Sequence, residues 1–237
     1  SNSVDLAALE EFTEITGNLT ISAGSIPNLT PLSSLTTIGG SLRILDNSSM
    51  TSLAGLERLT TVGGAVTISE NSSLTSLDGL NQLESIDGTL TIEQHINLPH
   101  LNGLESLTFV GSNVYISNNQ SISNLSGLDS LVEVSGEFQI YNNDALISLD
   151  GLGALTAVDD HLHIFENDVL ESVTGLTSLE TIGADLRVHN NPMLTSLTGL
   201  SSIETIGESI RIYYNTTLCS SNVDSFISDM ESRGWAG

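Results

Sequence analysis

Two histidines separated by a single residue, His161 and His163, are the side chains whose spacing most directly suggests chemistry. In an extended strand, residues two apart lie on the same face, so both imidazoles would point away from Leu162. Together with His189 further along the chain, they would offer nitrogen ligands to a transition metal. A solvated strand face explains the same spacing, and we favour it. The sequence therefore predicts no metal site.

Oxygen-bearing side chains are concentrated at two short segments, residues 141–144 (YNND) and 166–168 (END). Carboxylate and amide oxygens suit Ca²⁺, but the spacing matches no recognised calcium loop. Asn and Asp are also common at turns for backbone reasons. We predict no cofactor, with calcium at these segments as the alternative.

Motifs for nucleophilic, zinc-dependent and nucleotide-dependent catalysis are absent from the sequence: G-x-S-x-G, H-E-x-x-H, the P-loop and G-x-G-x-x-G. Some parallel β-helices degrade polysaccharides with acids clustered on one sheet face. Here the acids are scattered along the chain, at Asp46, Glu70, Asp144, Glu166 and Asp168. We predict that the protein is not an enzyme.

The charge balance is strongly acidic, with 29 Asp and Glu against 5 Arg and no Lys, for a formal net charge of −24. Nucleic acid and anionic membranes need a broad cationic surface, so neither is predicted as a partner. The sequence has no run of 18 apolar residues, and we predict no insertion into a membrane.

A sequence repeat predicts the secondary structure that must position these side chains. A Gly-Leu dipeptide recurs every 24 residues, at Gly55-Leu56, Gly79-Leu80, Gly103-Leu104, Gly127-Leu128, Gly151-Leu152, Gly175-Leu176 and Gly199-Leu200. Each period has three short apolar segments, such as 66–68, 74–77 and 83–86, which are too short for helices. A fixed period of this length indicates a solenoid. The predicted fold is all-β: a right-handed parallel β-helix with 24-residue coils, three short strands per coil and short helical caps at both ends.

The chain is predicted to be a single solenoid domain spanning residues 1–237. Residues 1–17 form an N-terminal helical cap in which Ser3 precedes a helix over Val4–Phe12, residues 18–218 form about nine coils, and residues 219–237 form a C-terminal helical cap. Ser221 is the predicted N-cap of that second helix. Cys219 at the edge of the last coil is predicted to be buried.

One repeat position is polar in nearly every coil. It holds Asn47, Asn71, Asn119, Asn143, Asn167, Asn191 and Asn215, with His95 in the remaining coil. An inward amide at a corner can bond backbone groups of the next coil that water cannot reach. We predict a structural asparagine ladder.

The outward positions of the first strand differ in composition from the rest of the surface, because they hold three of the four Tyr, three of the five Arg and two of the five His. We predict that they bind a ligand, through Tyr115, Tyr141, His163, Phe165, Arg187, His189, Arg211 and Tyr213. Tyr and Arg are enriched at binding hot spots. Arg187 and Arg211 should lie one coil apart and attract a carboxylate. The alternative is that these are ordinary outward strand residues that bind no ligand, with the arginines paired to Glu166, Asp185 or Glu208.

Repeats such as GGAVTISENSSLTSLDGLNQLESI, residues 63–86, resemble the receptor L domain family, a relative of the leucine-rich repeats, and especially its regular bacterial and fungal cell-surface versions. The resemblance covers nearly the whole chain. It implies an extracellular or cell-surface module, monomeric within a larger protein, that binds a protein or a carbohydrate on a sheet face. The alternative function is a structural spacer of a larger surface protein, with no specific ligand.

Overall fold

A computed structural model describes residues 9–22, 26 and 28–236. Over these residues the protein is an all-β parallel solenoid, as predicted. Successive coils are 24 residues apart, as in the pairing of Val114 with Phe138, except that the first step from Leu19 to Leu42 is one residue shorter. The described strands form two sheets of nine strands each, so about eight repeats separate the first coil from the last.

The first sheet, here called the long-strand sheet, is made of four-residue strands. They are β2 (Leu19–Ser22), β4 (Leu42–Leu45), β6 (Val66–Ser69), β8 (Leu90–Glu93), β10 (Val114–Ser117), β12 (Phe138–Tyr141), β14 (Leu162–Phe165), β16 (Leu186–His189) and β18 (Ile210–Tyr213). The second sheet is made of two-residue strands. They are β1 (Glu14–Ile15), β3 (Thr37–Ile38), β5 (Thr61–Val62), β7 (Ser85–Ile86), β9 (Phe109–Val110), β11 (Glu133–Val134), β13 (Ala157–Val158), β15 (Thr181–Ile182) and β17 (Thr205–Ile206).

The third strand expected in each coil does not form a third sheet among the described residues. The segment around Leu74 and Leu77 is built from turns, and in the equivalent segments of later coils isolated bridges join Ser148, Ser172 and Ser196. Some of its backbone groups bond to adjacent coils, and others bond to nearby side chains, as where the Ser76 hydroxyl accepts the Asp78 N–H at 3.0 Å. Local bonds of this kind compete with a continuous ladder, which explains why this apolar segment does not form a strand.

The core is a stack of Leu, Ile and Val that continues from coil to coil. In β6, for example, Val66 and Ile68 point inward and are fully buried, and the equivalent residues of β8 are Leu90 and Ile92. Each coil buries this set only against its neighbours, as expected for a solenoid.

The repeated glycine of the Gly-Leu dipeptide is required by a close approach between coils. Gly79 has φ +117°, and a Cβ there would collide with the backbone carbonyl of Leu53. Gly103 has φ +114° and meets Leu77 in the same way. A side chain at these positions would be both strained and overpacked.

The predicted asparagine ladder is confirmed. Asn71 Oδ1 accepts the Asn47 N–H at 3.0 Å and Asn47 Nδ2 at 3.1 Å, while Asn71 Nδ2 donates to the Ile44 carbonyl at 2.9 Å. All seven ladder asparagines are buried, as is His95. The ring of His95 substitutes in part, with Nε2 3.2 Å from the Ile68 carbonyl.

The C-terminal end carries one helix, α1 (Ser220–Ser232), whose Phe226 and Met230 pack against the core. Its N-cap position is occupied by Cys219 rather than Ser221, so that prediction was wrong by two residues. Cys219 is exposed rather than buried, because the chain leaves the last coil there to enter the helix. No helix in the described ranges has the length and apolar character needed to cross a membrane.

Most of the helix predicted over Val4–Phe12 lies outside the described residues. Its last part is a turn, closed by a bond of 3.1 Å from the Phe12 N–H to the Leu9 carbonyl.

Candidate functional site

The outward side of the long-strand sheet, here called the strand-one face, brings together the eight residues predicted to bind a ligand. They lie on five adjacent strands, from Tyr115 in β10 to Tyr213 in β18. Adjacent strands are about 4.8 Å apart, so these five span about 20 Å. The side chains form two columns. The aromatic column is Tyr141, Phe165, His189 and Tyr213, and the polar column is Tyr115, Gln139, His163, Arg187 and Arg211.

The four rings of the aromatic column stack on one another. Ring centroids of Tyr141 and Phe165 are 4.7 Å apart at 4°, those of Phe165 and His189 are 5.0 Å apart at 19°, and those of His189 and Tyr213 are 4.6 Å apart at 6°. Tyr214 then meets Tyr213 edge-on, at 5.2 Å and 78°. The stack follows from the in-register pairing, which places each ring directly beside the next.

Stacking turns the edges of these rings, rather than their faces, toward solvent. Tyr141, Phe165 and His189 are half-buried, whereas Tyr213 is 42% exposed and Tyr214, which follows the column, is 74% exposed. Ring edges are electropositive and tyrosine adds a hydroxyl, so the column favours acceptor groups on a partner. Stacking of a sugar ring on an aromatic face is available only at the ends of the column.

Glu137, which directly precedes β12, ties together three residues of the polar column. Its Oε1 accepts from Gln139 Nε2 at 2.7 Å and lies 3.1 Å from His163 Nδ1. Its Oε2 lies 3.4 Å from the Tyr115 hydroxyl. Burial, together with the negative charge of Glu137, raises the pKa of Tyr115.

Asp185, which precedes β16 and is only 4% exposed, organises the next part of the column. Its Oδ1 accepts from the Ser209 hydroxyl at 2.5 Å, and its Oδ2 accepts from Arg187 Nη2 at 2.5 Å. The bond from the Ser209 hydroxyl, reinforced by the Ser209 N–H and by Arg187, holds the pKa of Asp185 far below its usual range. Burial opposes this effect and is outweighed, so the carboxylate stays ionised.

The two arginines of the polar column differ in availability. Arg187 and Arg211 pair one coil apart, as predicted. Arg187 is bound by Asp185, one of the acids that the alternative interpretation named. Arg211 is exposed, and among the described residues no acidic side chain lies within ion-pair distance of it. Of these two guanidinium groups, that of Arg211 is therefore the one available to a partner.

The histidines of the face are less solvated than the sequence suggested. His161 and His163 do share a face, with ring centroids 5.2 Å apart. His163 is nevertheless only 8% exposed, and burial is the main reason why its pKa is lowered. Burial also lowers the pKa of His189. The interpretation of a solvated strand face is wrong for His163, because its neighbours on adjacent coils cover it.

Sequence reasoning missed Glu137 as a member of this site and treated Asp185 only as a counter-ion. Both lie just before a strand, outside the outward strand positions from which the ligand-binding residues were predicted. The pattern was available, because His161 is two residues before His163 and Glu137 and Asp185 are each 24 residues from His161.

Of the two segments considered for calcium, residues 141–144 contribute Asn142 and Asp144 to a separate groove of about 500 Å³ beside the asparagine ladder, and residues 166–168 do not line it. Asp46, Glu70 and Asp144 contribute carboxylates to it, and Asn118 and Asn142 contribute amides. The groove runs across several coils, so these carboxylates are spread along it and are not held in one loop.

A family model of the receptor L domain matches residues 2–78, about the first third of the chain. This match supports the family prediction made from the repeats over those residues, and the same coil continues through the rest of the described chain. A search of curated proteins gives no significant match. Receptor L domains are typically extracellular ligand-binding modules, and neither this family nor its solenoid fold is a typical enzyme class.

Proposed function

We propose that this protein is an extracellular or cell-surface recognition module that binds a protein or a carbohydrate through the strand-one face. The observation that carries the proposal is the continuous aromatic column, flanked by the unpaired Arg211, on a protein with a net charge of −24. The proposal includes no catalytic step.

Preorganisation supports this use of the face. Each ring of the column is held against the next at 4.6–5.0 Å, so these side chains lose little further freedom when a partner binds. Ordering a free side chain costs about 0.5–1.5 kcal/mol, and a column that is already ordered avoids much of that cost.

The C-terminal half of the face is the proposed contact surface. The outward residues of β6 and β8 are Thr67, Ser69, Thr91 and Glu93, which offer little area for a hot spot. From β12 onward the same positions hold aromatic rings and guanidinium groups. Arg211 beside Tyr213 suits a partner that carries a carboxylate among other acceptor groups.

The test is a screen of the full chain against a glycan array and against cell-surface proteins, with and without Ca²⁺. A combined Tyr141→Ser, Phe165→Ser and Tyr213→Ser variant should lose the partner, while a Thr67→Ser, Thr91→Ser variant of the N-terminal coils should keep it. Circular dichroism checks that both variants fold. A partner held equally by all three proteins would overturn the assignment of the face.

The second candidate function, a stiff acidic spacer, is favoured by one observation: much of the polar column is satisfied internally by Glu137 and Asp185. If the protein is a spacer, the well-folded protein should bind no specific partner in the screen. Binding that requires Ca²⁺ and survives the aromatic substitutions would point instead to the acidic groove.

A further inference from the structure

We propose that His161, His163 and Asp185 form a binding site for a borderline divalent transition metal, with Zn²⁺ as the type case. The proposal does not rest on the partner-binding function proposed above, although the two sites share His163. The metal site lies on the strand-one face but uses the side of the polar column away from the aromatic rings.

The solenoid geometry brings the three side chains together. His161 and His163 lie on one face of the strand, and Asp185 lies one coil on from His161. One ligand atom from each of the three residues falls within 4.8 Å of the others. In the ranges that the structure describes, no other group of three His, Cys, Asp or Glu side chains converges in this way.

The unpartnered Nε2 of His163 is the strongest single observation. This nitrogen is buried and has no hydrogen-bond partner, on a residue that is 8% exposed. Buried polar atoms are normally paired, so an orphan nitrogen needs an explanation. A metal ion would supply the missing partner.

Glu137 prepares that nitrogen for a metal. Its Oε1 lies 3.1 Å from His163 Nδ1, an arrangement in which Nδ1–H donates to the carboxylate. The lone pair is then on Nε2, as in the carboxylate–histidine–metal arrangement that orients ligands and raises their basicity.

Asp185 supplies an ionised oxygen ligand close to the second imidazole. Its Oδ2 lies 3.7 Å from His161 Nδ1. The same oxygen accepts from Arg187 at 2.5 Å, so a bound metal shares this carboxylate with a guanidinium. His161 Nδ1 also accepts the Asp185 N–H at 3.0 Å, a bond that binding through this nitrogen would replace. Arg187 is therefore expected to weaken the site by direct charge repulsion.

The donor set identifies the class of metal. Two imidazole nitrogens and one carboxylate oxygen suit Zn²⁺, Cu²⁺ or Ni²⁺ and do not suit Ca²⁺, which takes six to eight oxygens. Ligands around tetrahedral Zn²⁺ are roughly 3.4 Å apart, given bonds of about 2.0–2.2 Å. The ligand atoms, which lie up to 4.8 Å apart, must therefore approach one another by up to about 1.4 Å. His161 is 29% exposed on its side chain, which leaves a fourth position for water or a partner group.

The experiment is isothermal titration calorimetry of the full chain with Zn²⁺ at pH 7.5, with Co²⁺ absorption as a report on the ligands. We expect one site per chain, weakened at least 100-fold by His163→Gln or by His161→Gln, and weakened 10–100-fold by Glu137→Gln. His100→Gln, which removes a histidine outside the cluster, should leave it unchanged. Arg187→Gln should tighten binding, a change that a purely structural effect of these residues would not produce.

Two results would overturn the proposal. One is the absence of a Zn²⁺ site in the native chain. The other is a site that persists in both His163→Gln and His161→Gln, which would assign the ion to the acidic surface. Because the readout is the metal alone, failure here leaves the partner screen unaffected, and failure of the screen leaves this result unaffected.

Discussion

The residue that follows each long strand from β4 onward has a left-handed backbone conformation, whatever its type. Values of φ run from 53° to 61° at Asp46, Glu70, Gln94, Asn118, Asn142, Glu166, Asn190 and Tyr214. Asn and Asp tolerate this region, whereas longer side chains rarely adopt it. The fold thus imposes a conformation that only some of these side chains favour.

Replacing Glu70 by Asn should therefore stabilise the protein. The substitution removes an unfavourable backbone preference and one negative charge beside Asp46, and we expect the free energy of unfolding to rise by about 0.5–1 kcal/mol. Chemical denaturation of native and variant protein measures the difference. Asn118→Ala, the reverse kind of change in the same column, should lower stability, and a loss of stability in Glu70→Asn would contradict this explanation.

In one coil the ladder position holds the imidazole of His95 instead of an asparagine amide. An imidazole cannot offer an amide oxygen to the coil before it, although its nitrogens approach the carbonyls of Asn71 and Ile68 at 3.3 Å and 3.2 Å. Burial is the largest cause of its lowered pKa. The neutral ring therefore stabilises the fold above the unfolded pKa of about 6.5, and this contribution is lost as pH falls below that value.

We expect His95→Asn to restore the ladder and to remove this pH dependence. The variant should be at least as stable as the native chain at pH 7.5, and its advantage in Tm should grow as pH is lowered to 5. His100→Asn serves as the control for the loss of a histidine elsewhere. A constant difference between pH 7.5 and pH 5 would show that His95 does not titrate on unfolding in this range.

At the scale of the element, the stability of a coil depends on the close approach of its backbone to that of the preceding coil. Gly103→Ala should lower the free energy of unfolding by about 3 kcal/mol or more, because φ +114° disfavours alanine and its Cβ would meet the carbonyl of Leu77. Gly153 provides the matched control, since a Cβ there meets nothing within 4 Å. Gly153→Ala should change stability by less than about 0.5 kcal/mol. Equal effects at the two positions would refute the close-approach argument.

The coil also shows what sequence could predict and what it could not. The 24-residue period fixes the register of the coils. From it one could predict the inward positions of Val66 and Ile68, the asparagine ladder and the pairing of Arg187 with Arg211. The absence of a third strand could not be predicted, because it depends on side-chain bonds, such as that between Ser76 and Asp78, that interrupt the backbone ladder locally. The histidine pair could be seen in the sequence, but its convergence with Asp185 was missed because Asp185 lies one coil further on, just before β16 and outside the outward positions of that strand.

At the scale of the whole molecule, the charge of −24 acts against compactness. Most of the charges are exposed carboxylates without a cationic partner, since the chain has only 5 Arg and no Lys. Raising NaCl from 0.01 to 0.15 M shortens the Debye length from about 30 to about 8 Å. We expect Tm to rise by about 2–4 °C, equivalent to about 1 kcal/mol. Tetramethylammonium chloride should act equally if screening is the cause, and an effect confined to Na⁺ would indicate a specific ion site.

The central claim is that the strand-one face, and not the acidic surface in general, recognises a partner. The most direct measurement is the affinity of the partner recovered in the screen for native protein, Phe165→Ser, Arg211→Ala and the Thr67→Ser control, at fixed salt. Recognition through the face predicts a loss of at least 10-fold in Kd for the first two variants and none for the control. Equal affinities in all four proteins would contradict the claim.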